Sequence, residues 1–318
     1  MTITTIIPVY NEVESLAELH GELSAVAREQ GYDLDMVFVD DGSRDGSWDA
    51  IRRLAADDPR VRGIRFRRNF GKAAALDAGF RAARGNFILT FDADLQDDPR
   101  EIPRFVAELQ ADRDLVVGWK QKRHDPWHKT MPSLVFNTMV SKLTGVELHD
   151  HNCGLKGYRR EVTSELRLYG EMHRFVPALA AARGYRVGEL VVHHRPRKFG
   201  HSKYGVRRFI KGFLDLLTVK FLTDFGRRPL HLLGTIALPL LLVGGVGVFG
   251  QLLGGAVGTN VQLAWFGLWL TMLVVGALAL LAGLLAELVV SGQVDQNTPY
   301  SIVERTPRVE EHHPASAP

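Results

Sequence analysis

The sequence has little cysteine, and over one long stretch it has no formal charge. Cys153 is the only cysteine among 318 residues, which excludes an internal disulfide and a zinc site built from several cysteines. The 58 residues from Pro229 to Ala286 contain no Asp, Glu, Lys or Arg. All 39 basic and 36 acidic residues lie elsewhere, so a mean hydropathy near zero averages two unlike parts. This composition excludes a disordered protein and a small disulfide scaffold, and it argues against a wholly soluble protein.

The uncharged stretch is long enough for two membrane-spanning helices. A helix needs about 20 apolar residues to cross a bilayer. Residues 230–253 and 261–286 each meet this requirement, and the linker between them has no charge. Gly244, Gly245 and Gly247 would permit close packing of the two helices. We therefore expect a transmembrane hairpin within residues 229–290, with a buried hairpin of a soluble protein as the alternative.

The charges that flank the hairpin predict its orientation. The chain before the first span is basic, ending in Arg227 and Arg228, whereas the linker has no Lys or Arg. The positive-inside rule then places both flanks in the cytosol. Met1 is followed by a strand-like segment rather than by a basic and then apolar leader. We expect a multi-pass protein of the cell membrane, with a cytosolic N-terminal domain and a partly disordered cytosolic tail over residues 291–318.

The segment before the hairpin, residues 205–228, has the pattern of an amphipathic helix. Its apolar residues recur at helical spacing and its charged residues occupy other faces, which suits a helix lying in the membrane interface. The alternative is a helix packed on the soluble domain. The apolar face comprises Phe209, Ile210, Phe213, Leu214, Leu217 and Phe221.

Residues 1–204 read as one α/β domain, because short apolar strands alternate with helical segments. Such alternation predicts right-handed crossovers and a mostly parallel, Rossmann-like sheet. Polar clusters follow three of the strands, at residues 10–12, 40–41 and 92–94, and ligands of such sheets bind beyond the carboxyl ends of the strands. The predicted strands are Ile3–Val9, Met36–Val39, Val61–Phe66, Phe87–Phe91 and Leu115–Val117.

The cluster after the fourth strand is a candidate metal site. Asp92 and Asp94 flank one residue, so both carboxylates can face the same way and offer hard oxygen ligands to Mg²⁺ or Mn²⁺. Gln96 could add a carbonyl oxygen. A divalent cation there would neutralise a diphosphate leaving group. At the second strand, a carboxylate could accept hydrogen bonds from a base or ribose, while Ser43 or Asp45 would cap the following helix.

Four motifs carry a resemblance to a known family. They are IPVYNE at 7–12, DDGSRDGS at 40–47, NFGKAAALDAGFRAARGN at 69–86 and FDADLQDDP at 91–99. In this order and spacing they closely resemble family-2 glycosyltransferases, and within these the polyprenyl-phosphate branch that includes dolichol-phosphate mannose synthase. The resemblance implies an α/β domain of the GT-A fold, a nucleotide-diphosphate sugar donor and a divalent metal.

The resemblance also assigns roles to individual residues. The nucleotide pocket would be formed by Pro8, Tyr10, Glu12, Asp40 and Asp41, and the metal and donor diphosphate would be held by Asp92, Asp94 and Gln96. The segment at 195–205 resembles the family's acceptor-side R-x-x-G-x-S-K segment, in which Arg197 and Lys203 would contact phosphates. Lys120 matches a region where basic residues of relatives help to bind phosphate.

Two further clusters of polar residues can each be interpreted as a functional site or as ordinary structure. The run His149-Asp150-His151 could suggest a metal site but lacks a convincing third ligand. Residues 171–174 could contact the sugar or the acceptor, or could simply begin a helix. No Ser-His-Asp or Cys-His arrangement is evident, and an ionised lipid phosphate needs no strong general base to attack a sugar.

The predicted function is inverting transfer of a sugar from a nucleotide donor to a polyprenyl phosphate on the cytosolic leaflet. Transfer to another lipid or to a polysaccharide is the second hypothesis, and a non-catalytic membrane scaffold is the third. The basic excess lies beside the spans and no nucleic-acid motif is present, so we expect no nucleic-acid partner. A homo-oligomer is compatible with the sequence but is not required by it.

Overall fold

The structure is a computed structural model that describes residues 1–121, 137–196, 215–216, 218–221, 225, 228–256 and 263–293. The predicted acceptor residues Arg197 and Lys203, and most of the predicted amphipathic helix, lie outside these ranges. The chain forms two units, Met1–Thr223 and Asp224–Pro318.

The N-terminal unit alternates strands and helices, as the sequence pattern predicts. In chain order its elements are β1 (Thr2–Val9), α1 (Leu16–Gln30), β2 (Asp33–Asp40), α2 (Ser47–Asp57), β3 (Val61–Arg65), α3 (Lys72–Ala82), β4 (Phe87–Thr90), α4 (Ile102–Ala111), β5 (Leu115–Trp119), β6 (Lys156–Arg159), α5 (Arg160–Glu165), α6 (Val176–Ala181) and β7 (Val187–Val191). Short 3-10 helices occupy Pro99–Glu101 and Met172–Arg174, and residues 137–144 are also helical.

The seven described strands form one mixed, mostly parallel sheet in the order β3-β2-β1-β4-β6-β5-β7. Only β6 runs against its neighbours, since β4–β6 and β5–β6 are antiparallel whereas the other four pairings are parallel. The chain moves from β1 outward to β2 and β3, and then returns through α3 to place β4 on the other side of β1. This reversal creates a crevice beyond the carboxyl ends of β1 and β4, the usual ligand position in such sheets.

The core lies on both faces of β1, one of the inner strands of the sheet. Ile3, Ile6 and Ile7 have no exposed surface, as expected for a strand covered by helices on both sides. Gly79 of α3 packs directly on Ile6, and a Cβ there would come within 3 Å of the Ile6 side chain. The absence of a side chain at Gly79 therefore lets α3 lie close to the sheet.

Two strands and one helix start differ from the sequence-based predictions. The sequence pattern missed β6 and β7, because KGYR and VGELV lack a continuous apolar run. The apolar spacing over residues 12–30 predicts a helix that starts at Glu12, whereas α1 begins at Leu16. The preceding residues form a turn, in which Asn11 has a positive φ of 56° and the Glu12 amide donates to the Ser47 hydroxyl at 3.0 Å.

The C-terminal unit contains two long apolar helices, α7 (Pro229–Ala256) and α8 (Leu263–Gln293). Each is long and apolar enough to cross a membrane by length and composition. They pack antiparallel, since Gly244 lies on Leu273 whereas Gly283 lies on Leu230. The expected close packing is confirmed at Gly244 and at Gly247, where a Cβ would come within 3 Å of the opposing helix. At Gly245 a Cβ would make an ordinary 3.6 Å contact.

A short described part of the segment before the hairpin belongs to the N-terminal unit. Leu216 and Val219 are fully buried and cluster with Val140, Phe175 and Ala178. For these residues, burial favours the alternative of a helix packed on the soluble domain. A membrane-interface role for residues 205–228 stays a prediction.

Candidate active site

A cleft of about 350 Å³ lies at the carboxyl ends of β1 and β4. The sequence motifs that follow these strands supply most of its walls, so residues separated by more than 80 positions meet there. Its lining residues are Pro8, Val9, Tyr10, Glu12, Asp41, Asn69, Gly71, Lys72, Ala75, Asp92, Ala93, Asp94, Glu171 and His173. Six of the predicted site residues are among them: Pro8, Tyr10, Glu12, Asp41, Asp92 and Asp94.

The loop after β4 presents the two predicted metal ligands. Leu95 has a φ of 61°, which is uncommon for a branched residue and marks a sharp turn directly after Asp94. The turn is stabilised because the Gln96 amide donates to Asp94 Oδ1 at 3.2 Å, and the Asp92 amide donates to Asp97 Oδ2 at 3.3 Å. Hydrogen bonds within this loop therefore hold Asp92 and Asp94 in place at the cleft.

Gly154 provides the space that the Asp92 carboxylate occupies. A Cβ at this position would come within 3 Å of all three atoms of the Asp92 carboxylate group. Thr90, at the end of β4, donates its hydroxyl to the Gly154 carbonyl at 2.7 Å and fixes the two segments together. Any side chain at residue 154 would displace Asp92 from the cleft.

Lys72, which the sequence analysis did not identify, places a cation beside the predicted metal ligands. It is the first residue of α3, and its ammonium contacts Asp92 Oδ1. Burial would lower the pKa of Lys72, but attraction to Asp92 outweighs burial and raises it. Burial would likewise raise the pKa of Asp92, but Lys72 and Lys120 hold it well below its usual range. Both groups of the pair are therefore charged at neutral pH.

Two more lysines are buried behind this pair. The Lys120 ammonium lies 2.9 Å from Asp97 Oδ1, and this attraction keeps its pKa above the usual range despite burial. Lys120 was predicted to bind phosphate, but its ammonium faces Asp97 and it does not line the cleft. Lys156 donates to the Cys153 carbonyl, and burial lowers its pKa to about 8. The antiparallel register pairs Lys156 with Thr90, which places it at the cleft end of β4.

The loops that follow β1 and β2 are hydrogen-bonded to each other. The Asn11 amide donates to Ser43 Oγ, and the Arg44 amide donates to Asn11 Oδ1, both at 2.9 Å. Asp45 accepts from the Ser47 amide at 3.0 Å and from the Val13 amide at 3.1 Å. Asp45 thus satisfies one backbone amide at the start of α2, that of Ser47, as expected.

The two neighbouring aspartates Asp40 and Asp41 have different surroundings. Asp41 lines the cleft and accepts from the Phe70 and Gly71 amides at 2.6 and 2.9 Å, which positions the loop before α3. Burial raises the pKa of Asp41 despite these two bonds. Asp40 is fully buried, accepts from the Ser43 amide at 3.0 Å and lies 3.4 Å from Arg65. The structure therefore places Asp41, and not Asp40, in the predicted nucleotide pocket.

The cleft is also lined by Glu171 and His173, which belong to the segment 171–174 whose role the sequence left open. Both belong to a short turn that includes the 3-10 helix Met172–Arg174, and Glu171 pairs with Arg174 at 3.0 Å. His173 is only 9% exposed. Burial, followed by repulsion from Lys72 and Arg174, keeps its pKa well below the usual value. It is therefore neutral at pH 7.

Gln96 lies at the junction between the aspartate loop and residues 193–196. Its side-chain nitrogen lies 3.4 Å from His194 Nε2 and 3.5 Å from the Arg195 carbonyl, and it does not line the cleft. Arg195 donates a hydrogen bond to Glu22 at 2.8 Å and forms an ion pair with Asp98 at 2.7 Å. The start of the predicted acceptor segment is thus attached to the loop that carries Asp92 and Asp94.

The run His149-Asp150-His151 makes protein contacts of its own. His149 pairs with Glu189 at 2.7 Å and stacks on Trp119 with ring centroids 3.9 Å apart. His151 lies 3.0 Å from Ser141 Oγ, and burial lowers its pKa to about 4. Within the described residues, no three His, Cys, Asp or Glu side chains converge in a way that could hold a metal.

Residues 4–167 match glycosyl transferase family 2. The dodecaprenyl-phosphate galacturonate synthase of Rhizobium johnstonii is 36% identical over 306 residues, covering 91% of this chain and 88% of that protein. An undecaprenyl-phosphate 4-deoxy-4-formamido-L-arabinose transferase of Shewanella sediminis is 39% identical over 253 residues, covering 79% of this chain and 73% of that protein.

A solved structure shares the fold. The glucosyl-3-phosphoglycerate synthase of Mycobacterium tuberculosis, in complex with Mn²⁺, UDP and phosphoglyceric acid, superposes with a TM-score of 0.52 at 17% identity, covering 71% of this chain and 80% of that one. The chain belongs to glycosyltransferase family 2. The expected architecture is confirmed: a GT-A α/β domain followed by two apolar helices.

Proposed function

We propose that this protein transfers a sugar from a nucleotide-diphosphate donor to a polyprenyl phosphate, with inversion at the anomeric carbon. The observation that carries the proposal is the cleft at the sheet reversal, where Asp92 and Asp94 meet Tyr10, Asp41 and Lys72. The names of the two relatives, both prenyl-phosphate enzymes, support the choice of acceptor.

We further propose that Asp92 and Asp94 hold a divalent cation, Mg²⁺ or Mn²⁺. Two carboxylates fit this role, because such cations commonly take one or two protein carboxylates and complete their shell with water and substrate phosphates. The space that Gly154 leaves for the Asp92 carboxylate is consistent with a site that must hold this group. When bound, the cation would neutralise charge on the donor diphosphate. The Mn²⁺ in the solved neighbour supports a divalent metal without choosing between the two.

The residues of the cleft would orient the reactants and compensate charge. The lipid phosphate oxygen bonds to the anomeric carbon while the bond from that carbon to the diphosphate oxygen breaks, and the nucleoside diphosphate leaves with the bonding electrons. Lys72 would face the side on which that negative charge develops, and Lys120 and Lys156, whose charges act on Asp92, would add positive potential there. A phosphate monoester is ionised at neutral pH, so the attack requires no strong general base.

The acceptor phosphate is assigned to Arg197 and Lys203 on the sequence motif alone. Arg offers bidentate contacts to a phosphate and Lys a point charge, and both would offset repulsion between donor and acceptor. Arg197→Ala should lower turnover about tenfold or more with an unchanged melting temperature, and Arg197→Lys should restore it only in part. Lys203→Ala should chiefly raise the KM for the prenyl phosphate. Normal turnover of both alanine variants would remove this assignment.

The two apolar helices would anchor the enzyme in the cell membrane with the α/β unit and the tail on the cytosolic side. The basic flank at Arg227 and Arg228 supports this orientation. In membrane vesicles, cysteines introduced at Gly255 and at Ser316 should react with an impermeant maleimide from opposite sides. Labelling of both from the same side would contradict the hairpin.

The proposed activity is tested with purified full-length protein, a panel of nucleotide sugars, a panel of prenyl phosphates, and Mg²⁺ or Mn²⁺. We expect one donor to yield a prenyl-phosphate sugar, and excess chelator to abolish its formation. Asp94→Asn should lower turnover at least about a hundredfold. The bound metal would stabilise the charge that develops in the transition state by several kcal/mol, and this variant would weaken its binding. Asp49→Asn on the exposed surface of α2 is the matched control and should be fully active.

The same assay separates the alternatives when other lipids and a polysaccharide are added as acceptors. If sugar appears only on another lipid or on a polysaccharide, that molecule is the acceptor and the proposed prenyl phosphate is not. No transfer from any donor would favour a membrane scaffold with an inactive transferase domain.

A further inference from the structure

We infer that His173 hydrogen-bonds a hydroxyl, or another uncharged polar substituent, of the transferred sugar and so helps to determine which donor is used. The inference rests on the proposed function, because it assigns one wall of the cleft to the sugar of the donor. It makes His173 a specificity-determining residue of the same site.

His173 lies where it can contact the donor. It lines the cleft that also contains Asp92 and Asp94, yet it comes from a segment about 80 residues further along the chain. The segment is held in place on both sides of the histidine, since Glu171 pairs with Arg174 and the next residue, Phe175, is fully buried. An imidazole on a fixed turn can select a ligand by geometry, because little conformational freedom is lost on binding.

One ring nitrogen of His173 has no hydrogen-bond partner among the described residues. Nδ1 of His173 is buried, and no hydrogen-bonding atom of the described residues reaches it. Buried polar atoms are nearly always paired in folded proteins, because an unpaired one is unfavourable. His151 also has an unpaired Nδ1, but its other nitrogen is held by Ser141 and it does not line the cleft. His173 therefore offers a buried hydrogen-bonding atom at a place where a ligand can supply the partner.

The chemistry of a neutral histidine suits the sugar better than the other parts of the donor. A neutral imidazole carries one donor and one acceptor, which complements a hydroxyl group and is a poor counter-charge for phosphate. The cationic groups suited to phosphate lie elsewhere in the cleft region, beginning with Lys72. A metal is not the expected partner either, because His173 does not converge with the two aspartates into a group of three ligands within the described residues. Among the parts of a nucleotide sugar, the sugar matches this chemistry.

The experiment begins by finding the donor of the wild-type protein, so that failure of the proposed function is seen separately. The kcat/KM is then measured for this donor and for its monodeoxy analogues in His173→Phe, His173→Asn and wild type. We expect His173→Phe to lower kcat/KM for the parent donor about fivefold to tenfold, as for loss of one neutral hydrogen bond. One deoxy analogue, which lacks the contacted hydroxyl, should be used equally well by wild type and His173→Phe. Asn can replace one hydrogen bond and should recover part of the activity.

Binding of the free nucleoside diphosphate, measured by calorimetry, distinguishes the sugar from the rest of the donor. It should change less than about twofold in both variants. His149→Phe is the matched control, because His149 lies on the surface and pairs with Glu189 away from the cleft. Equal losses for the parent donor and every deoxy analogue, or an equal loss of nucleoside diphosphate binding, would overturn the inference. So would wild-type kinetics in both His173 variants.

Discussion

The Lys72 ammonium contacts the same Asp92 carboxylate that is expected to bind a divalent cation. The two residues are 20 positions apart and belong to different elements, with Lys72 at the start of α3 and Asp92 just after β4. Because their attraction keeps both groups charged, Lys72 serves as an internal cation for Asp92. A metal arriving at Asp92 must therefore compete with it, and a lysine displaced in this way would face the donor diphosphate.

This relationship predicts opposite effects of Lys72→Met on two ligands. Mn²⁺ alone should bind up to about fivefold more tightly, since a partly exposed ion pair contributes about 1 kcal/mol at most. The nucleoside diphosphate with Mn²⁺ should bind at least about tenfold more weakly, because a charge-assisted contact is worth about 1.5–3 kcal/mol. Calorimetry measures both. Lys142→Met, in an exposed part of the helix at residues 137–144, should change neither. Weaker Mn²⁺ binding in Lys72→Met would contradict the competition.

The pairing of Lys120 with Asp97 predicts a loss of stability rather than a selective loss of donor binding. Asp97 has a side chain that is only 1% exposed, and Lys120 one that is 14% exposed. Lys120→Met would leave a buried carboxylate without its counter-charge, at a cost of about 3–5 kcal/mol in the free energy of unfolding. Urea unfolding of the detergent-solubilised protein should detect this, and the added change Asp97→Asn should recover much of the loss. Arg100→Met, at a residue with a 79% exposed side chain, should shift stability by no more than about 0.5 kcal/mol.

An opposite result would favour the phosphate role that the sequence suggested for Lys120. In that case Lys120→Met would keep its unfolding midpoint but lose affinity for the nucleoside diphosphate. The double variant would then bind the donor no better than the single one.

The sequence was sufficient to predict which strand ends lie together. Each strand can be recognised from its own run of apolar residues, without knowledge of distant contacts. Buried apolar runs mark β1, β2 and β4, and parallel strands bring their carboxyl ends to one edge, so Tyr10, Asp41 and Asp92 could be expected to lie together. The same argument could not separate Asp40 from Asp41. Adjacent residues near a strand end point in different directions, and the register that buries Asp40 is set by neighbours distant in sequence.

Other parts of the site depend on long-range contacts that no local pattern reveals. Lys72 follows Gly71 at the start of an Ala-rich helix, where an exposed lysine is the ordinary expectation. Lys156 lies in a four-residue strand without an apolar run, and only pairing with β4 brings it behind Asp92. His173 could be noticed as a histidine near an acidic residue, but its burial and unpaired nitrogen follow from packing.

Burial of Cys153 predicts that the only cysteine is unreactive in the folded protein. It has 2% exposed surface, and burial raises the pKa of its thiol to about 12. The thiolate is the reactive form, so almost none is present between pH 7 and 8. Maleimide labelling should be negligible until the protein is unfolded in denaturant, and then approach one label per chain. Rapid labelling of the folded protein would show that this region opens, and would require a Cys153→Ala background for labelling at Gly255.

The packing of the two apolar helices predicts a position-specific effect of added side-chain volume. A Cβ at Gly244 would lie 2.7 Å from the Leu273 nitrogen and 2.8 Å from the Trp269 carbonyl oxygen, so it would meet backbone that cannot rotate away. Gly250 lies in the same helix, α7, and a Cβ there would have no atom within 4 Å. Gly244→Val should therefore force the helices apart and lower the melting temperature in detergent by several degrees, because overpacking costs about 1–3 kcal/mol. Gly250→Val adds the same side-chain volume at a glycine of the same helix. Its melting temperature should equal that of the wild type. Equal melting temperatures for the two variants would show that α7 and α8 do not pack through Gly244. Equal destabilisation would point to helix propensity rather than to contact with α8.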